Sequence, residues 1–110
     1  MQRTLLALPL AALALLLAAP ALPAQDTAQI QGTITDSSGA ALAGVSVTAT
    51  NTLTGTSRNV TTGTDGRFVL PALALGTYSL RYAKAGFSTT DVTGLVLQIG
   101  AEIDRHDALK

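Results

Sequence analysis

Thr77-Tyr78-Ser79-Leu80-Arg81-Tyr82-Ala83 alternates strictly, with Tyr78, Leu80 and Tyr82 on one side and Thr77, Ser79 and Arg81 on the other. A period of two is the side-chain period of a strand with one buried face, so this stretch predicts a strand and sets the texture to look for elsewhere. Upstream, residues 28–36 repeat it, with Ile30, Gly32 and Ile34 against Gln29, Gln31, Thr33 and Thr35. That run stops at Asp36-Ser37-Ser38-Gly39, residues that bond nearby backbone or accept positive φ, and a turn is expected. Residues 45–51 alternate Val45, Val47 and Ala49 with Ser46, Thr48 and Thr50. After Leu53-Thr54-Gly55 the chain enters residues 56–62, where only Val60 is clearly apolar, so this strand is expected at a sheet edge or solvated on both faces. Its unpaired backbone would then be open to strand addition by a partner.

Gly63-Thr64-Asp65-Gly66 is a turn signal leading into Phe68 and Leu70. The apolar run from Leu70 through Pro71 to Gly76 is expected to be a connector, because proline cannot donate to a central ladder. Beyond residue 83, Gly86 breaks the strand and Phe87 returns an aromatic ring to the core. Leu95, Leu97 and Ile99 alternate over residues 94–99, and a final strand is expected over residues 102–109. Asp104-Arg105-His106-Asp107 interrupts the apolar alternation there, which predicts a last strand that is short, bulged or frayed. Seven or eight short strands with turns every 8–12 residues read as an all-β sandwich, with Phe68, Tyr78, Tyr82 and Phe87 in its core.

Composition narrows the function classes. Of the 110 residues, 7 Lys+Arg balance 7 Asp+Glu, which excludes the basic surface of a nucleic-acid binder. With 0 Cys and 1 His, disulfide frameworks, CxxC redox chemistry and multi-histidine zinc sites have no ligands. The apolar residues crowd one end. Arg3 precedes an apolar run over residues 5–19, followed by small residues and prolines, the pattern of a helical secretory signal peptide. The run is shorter than the roughly 20 residues that span a bilayer, and Pro9 weakens it as a helix, so cleavage is preferred over an uncleaved anchor. Ala19-Pro20-Ala21 fits the small-x-small rule, but Pro23 would lie close to that scissile bond; Ala24 before Gln25 is the preferred site. The expected organisation is a signal peptide over residues 1–24 and one domain over residues 25–110.

Within that domain, Gly32-Thr33-Ile34-Thr35-Asp36, Gly39, Leu42, Gly44-Val45-Ser46-Val47, Asp65-Gly66-Arg67-Phe68, Gly76-Thr77-Tyr78 and Lys84-Ala85-Gly86-Phe87 together resemble the carboxypeptidase regulatory-like domain. The resemblance implies a seven-stranded transthyretin-like (Ig-like, prealbumin-like) β-sandwich, grouped with carbohydrate-binding-like folds. Preceded by a signal peptide, such a domain is similar to the N-terminal extension of TonB-dependent outer-membrane receptors, here without plug and barrel. Ala43 and Leu75 stand where the family often has proline before Gly44 and Gly76, a modest loss of turn rigidity.

Chemistry has few candidates. Glu102, Asp104 and His106 share one face of the last expected strand, but neighbours there sit about 6.5–7 Å apart, too far to converge on one ion without bending. A solvated polar face is the better reading, and no metal site is assigned. Asp36 and Asp65 lie in glycine-containing turns where aspartate has a backbone role. Asn59-Val60-Thr61 matches a glycosylation pattern that bacterial secretion would leave unused. No serine has a base beside it in sequence, no glycine loop cradles phosphate, and Tyr78 and Tyr82 keep phase with Leu80 as core residues rather than a sugar platform.

The sequence therefore predicts no catalytic residue, no cofactor and no enzyme. The expectation is an exported accessory or binding module of the periplasm or outer membrane, meeting envelope proteins or glycans and no nucleic acid. It would meet a membrane only through its signal peptide during export or through a receptor barrel. A free-standing carbohydrate-binding-like module and a regulatory domain associated with a carboxypeptidase are the alternatives.

Overall fold

The computed structural model describes residues 26–110, so the expected signal peptide and its cleavage point at Ala24 and Gln25 lie outside the described residues. Seven strands follow one another: β1 (Thr27–Thr35), β2 (Ser46–Asn51), β3 (Ser57–Thr61), β4 (Arg67–Ala74), β5 (Gly76–Ala83), β6 (Thr90–Leu97) and β7 (Glu102–Ala108). They form a three-stranded sheet in the order β4-β1-β7 and a four-stranded sheet in the order β3-β2-β5-β6. All neighbours are antiparallel except β1 and β7, which run parallel from Gln29↔Glu102 to Thr35↔Ala108. This is the all-β sandwich expected from the alternation.

The inward phase of each strand builds the core. Ile30 and Ile34 of β1, Leu70 and Leu73 of β4, Val47 and Ala49 of β2, and Leu80 and Tyr82 of β5 are essentially inaccessible to solvent. Each large aliphatic among them contributes about 1.5–3 kcal/mol relative to exposure. Phe68 and Tyr82 join the two sheets as a tilted aromatic pair, with ring centroids 6.1 Å apart and planes at 55°. Gly32, in phase with Ile30 and Ile34, pairs directly with Phe68. A Cβ there would collide with the Arg105 carbonyl and come within 2.9 Å of Phe68 Cε1, so the glycine is what lets the ring lie across β1. Phe87 is partly buried against this core, as expected.

Three expectations are corrected. The segment around Pro71 is not a connector: β4 continues through it to Ala74. It can do so because β4 is an edge strand, and because Pro71 and Ala72 form a bulge between the Ile30↔Leu70 and Ala28↔Leu73 pairs, with Ala72 at φ 54°. β6 begins at Thr90 rather than near Gly94, and Gly94, at φ 74°, sits in a second bulge between Leu80↔Val92 and Tyr78↔Leu95. That bulge inverts the phase, so Val92 and Leu95 both pack on the core, while Ile99, expected inside, is 69% exposed in the loop after β6. Finally, β7 is neither short nor bulged. It pairs with β1 over its whole length, and Leu109 beyond it is fully buried, its N–H bonded to Thr35 O at 2.8 Å.

Candidate functional site

The residues considered for chemistry are dispersed. Glu102, Asp104 and His106 occupy the outward, exposed phase of β7, and His106 Nε2 lies 3.8 Å from Asp104 Oδ2. Among the described residues no group of three His, Cys, Asp or Glu side chains comes close enough to hold a metal ion. Asp36 organises the turn after β1: its Oδ1 accepts from Ser38 N, Ser38 Oγ and Ala40 N at 2.9, 2.6 and 3.0 Å. The Ser38 hydroxyl, then the Ala40 amide, hold this carboxyl below the usual carboxylate range. Asp65 accepts from Arg67 N at 3.1 Å. Both aspartates act on backbone, as their glycine-containing turns predict.

Tyr78 and Tyr82 are buried, Tyr78 donating to Ala74 O at 2.7 Å. Tyr82 takes part in a network that the sequence reading missed. Its hydroxyl crosses between the sheets to donate to Asp107 Oδ2 at 2.6 Å. Arg105 grips the same carboxylate through Nε at 3.2 Å and Nη2 at 2.9 Å. Burial, then the bond to Asp107, raise the Tyr82 phenol well above its usual range, and the Asp107 bond raises Arg105. The signal was present: Arg105 and Asp107 keep the inward phase of Ile103 and Leu109, so the charged pair faces the core side and needs a partner there. Thr62 is a second buried polar pin, accepting from Val45 N at 2.9 Å and donating to Leu42 O at 2.7 Å. Among the described residues no buried side-chain polar atom lacks a partner. These groups are spent on holding the fold.

What remains for function is surface. The outer face of the four-stranded sheet is hydroxyl-rich, and a shallow groove of about 500 Å³ lies over Thr48, Thr50, Ser79, Arg81, Asp91 and Thr93. Arg81 Nε meets Asp91 Oδ1 across β5 and β6 at 2.8 Å, an exposed pair that lowers the Asp91 carboxyl. Beside it on the same face Asn59 Nδ2 donates to Ser46 Oγ and Thr48 Oγ1, both at 2.8 Å. A second groove, about 300 Å³, opens in the seam between the β3 and β4 edges, lined by Thr56, Arg58, Ala72, Leu73, Leu75 and Tyr78 among others. Arg58 Nη2 reaches across the seam to Pro71 O at 3.0 Å.

Solved structures place this architecture among several kinds of protein. A type II cohesin–X-dockerin complex from Acetivibrio cellulolyticus matches with a TM-score of 0.59 at 21% identity, covering 74% of this chain and 56% of that one. A putative carbohydrate-binding protein from Bacteroides uniformis matches with a TM-score of 0.61 at 18% identity, over 78% of this chain and 42% of that one. The 3-chlorocatechol 1,2-dioxygenase of Rhodococcus opacus matches with a TM-score of 0.56 at 15% identity, over 78% of this chain and 60% of that one. The chain thus spans 42–60% of the length of these neighbours, and at such identities the likeness is one of fold. No curated protein is similar enough in sequence to match. The family model of the carboxypeptidase regulatory-like domain matches residues 29–108, from β1 to the end of β7, and the chain belongs to that family.

Proposed function

We propose that this chain is an exported, non-catalytic accessory module of the bacterial cell envelope that works by binding, in the manner of the N-terminal extension of a TonB-dependent receptor. The observation that carries the reading is how the family's sandwich uses its polar side chains here: Asp36, Asp65, Thr62, Tyr82, Arg105 and Asp107 all bond turns, backbone or one another. Catalysis needs a group held ready for substrate, and these groups are already engaged. The dioxygenase shows that a similar framework hosts an enzyme elsewhere, so the reading rests on these side chains rather than on the fold. The apolar segment over residues 5–19 and the small residues before Gln25 support export to the periplasm or outer membrane. The neighbour solved as a cohesin–X-dockerin complex supports a protein partner in the envelope.

The test is photo-cross-linking in the periplasm of a Gram-negative host, with a benzophenone amino acid placed singly at Asn59, Thr93 or Val69, all exposed. A binding module gives a discrete adduct from one of these surfaces and not the others. Full-length protein retained in the cytoplasm, or no adduct from any surface, overturns the proposal. A glycan-binding function is the second reading, favoured by the hydroxyl-lined groove over Thr48, Ser79 and Arg81 and by the Bacteroides neighbour. A glycan panel decides it, with the affected resonances on β2, β5 and β6 if it is right.

A further inference from the structure

A sandwich of two open sheets has four edges, and three of them here carry devices that discourage pairing with another chain. β4 has Pro71, which offers no donor, and the Pro71–Ala72 bulge. β6 is bent by the bulge at Gly94. In β7 five of seven residues are charged or histidine: Glu102, Asp104, Arg105, His106 and Asp107. Proline, bulges and charge are the usual protections of an edge. β3 has none beyond one arginine. Its sequence, Ser57-Arg58-Asn59-Val60-Thr61, holds no proline and no glycine, and its register with β2 is unbroken from Thr50↔Ser57 to Ser46↔Thr61.

Hydrogen bonding fixes which of its groups are free. Asn51 N bonds Thr56 O at 2.8 Å and Thr62 N bonds Val45 O at 3.0 Å. In an antiparallel pair, alternate residues bond the partner strand, so Arg58 and Val60 are tied to β2 while the backbone groups of Ser57, Asn59 and Thr61 point to the open edge. On the inner side, Arg58 lines the seam groove, and among the described residues its side chain's acceptor is the neutral Pro71 carbonyl. A guanidinium has five donors and binds a carboxylate far better than a single amide oxygen. Pairing β3 antiparallel with β3 of a second copy at full overlap would centre on Asn59 and set each Arg58 opposite a Val60, which gives neither guanidinium a carboxylate.

We propose that β3 is a docking edge for an extended peptide strand from another protein, carrying a carboxylate side chain that pairs with Arg58 at the seam groove. This deepens the binding-module reading and rests on it. The added strand takes up the backbone groups of Ser57, Asn59 and Thr61, and alternate apolar side chains flanking the carboxylate lie over the exposed Pro71 and Ala72.

The probe is the fluorescein-labelled heptapeptide Thr-Val-Thr-Glu-Thr-Val-Thr, added to the full chain and compared with versions bearing Lys or Gln at the centre. With the Glu peptide at tenfold over its Kd, amide exchange at Ser57, Asn59 and Thr61 slows about elevenfold, following 1 + [L]/Kd. The Lys version binds about fivefold more weakly, and Arg58→Glu reverses that order. N-methylating the peptide amides that face β3 abolishes binding, whereas N-methylating those on its far side does not, a control that leaves the protein unaltered. Protection that maps to β4, β6 or β7, affinity indifferent to the central charge, or no protection at about 1 mM peptide overturns the proposal. So does protection of the three amides in the free chain accompanied by concentration-dependent dimerisation. If any of these occurs while cross-linking still yields a specific adduct elsewhere, strand addition fails and the binding-module reading stands.

Discussion

Replacing Tyr82 by Phe removes one oxygen from the centre of the sandwich and leaves the ring in place against Phe68. The lost bond is short, 2.6 Å, and its acceptor is ionised, so it belongs to the class that contributes about 1.5–3 kcal/mol. Asp107 keeps both Arg105 contacts and its side chain is 15% exposed, so solvent reaches the freed oxygen and the lower part of that range applies, about 1.5–2 kcal/mol. For a domain of this size that lowers Tm by about 10 °C. Urea unfolding followed by far-UV circular dichroism measures it without depending on tyrosine emission.

The pH dependence of the same pair of proteins gives a second check. The Tyr82 phenol titrates higher in the folded state than its ordinary value of 10.0. Its contribution is therefore complete below pH 10 and is lost as the pH rises from there toward the folded-state value. At pH 11 ionisation of this tyrosine in the unfolded chain costs the parent about 1.4 kcal/mol that the phenylalanine variant does not lose. The gap between the two should nearly close. A variant within about 0.5 kcal/mol of the parent at neutral pH, or a gap that stays constant to pH 11, would refute the account of this network.

Other consequences are simpler to state. Gly32→Ala drives a methyl group into the Arg105 carbonyl and the Phe68 ring, and should cost about 3 kcal/mol in the same unfolding assay; less than about 1 would mean that β1 and β7 separate freely. Thr62→Val keeps the volume but strands the Val45 N–H and the Leu42 carbonyl, for a loss of about 1–3 kcal/mol, and an unchanged midpoint would show that water replaces the hydroxyl. Because the Asp36 carboxyl is lowered by Ser38 and Ala40, its contribution is present above pH 3.8 and fades as the pH falls through its folded-state value. Asp36→Asn should flatten that part of the acid unfolding curve, and a curve superimposable on the parent's would show the turn bonds to be indifferent to charge.

The legible parts of this fold are those where one local rule acts alone. β1 alternates without interruption over its nine residues and β5 does so from Thr77 to Ala83, and burial there follows the letters position by position. β3 reads as an edge because it has too little apolar surface to be covered on either face. The illegible parts are those where a bulge resets the phase or a distant strand supplies what the local sequence lacks. Thr93-Gly94 shifts β6 by one residue, so Val92 and Leu95 face inward although their numbers have opposite parity, and extrapolating from Leu95 and Leu97 wrongly buries Ile99. Pro71 argues against a strand only where its missing N–H is needed, and on the outer side of β4 it is not. β7 reads as frayed because its charges were counted without their partners, yet Arg105 and Asp107 answer Tyr82 on the facing sheet, and β1 supplies a parallel ladder that no local pattern announces. The turn roles of Asp36 and Asp65 were legible from their glycine neighbours, whereas the seam groove lined by Arg58 arises only when β3 and β4 are brought edge to edge.

The central claim is that this sandwich is an envelope module delivered by its own N-terminal segment, and the intact mass of the protein recovered by osmotic shock from a Gram-negative host tests it most directly. The account predicts a periplasmic species whose mass corresponds to residues 25–110, beginning at Gln25. A full-length species of 110 residues confined to the cytoplasmic fraction would contradict it.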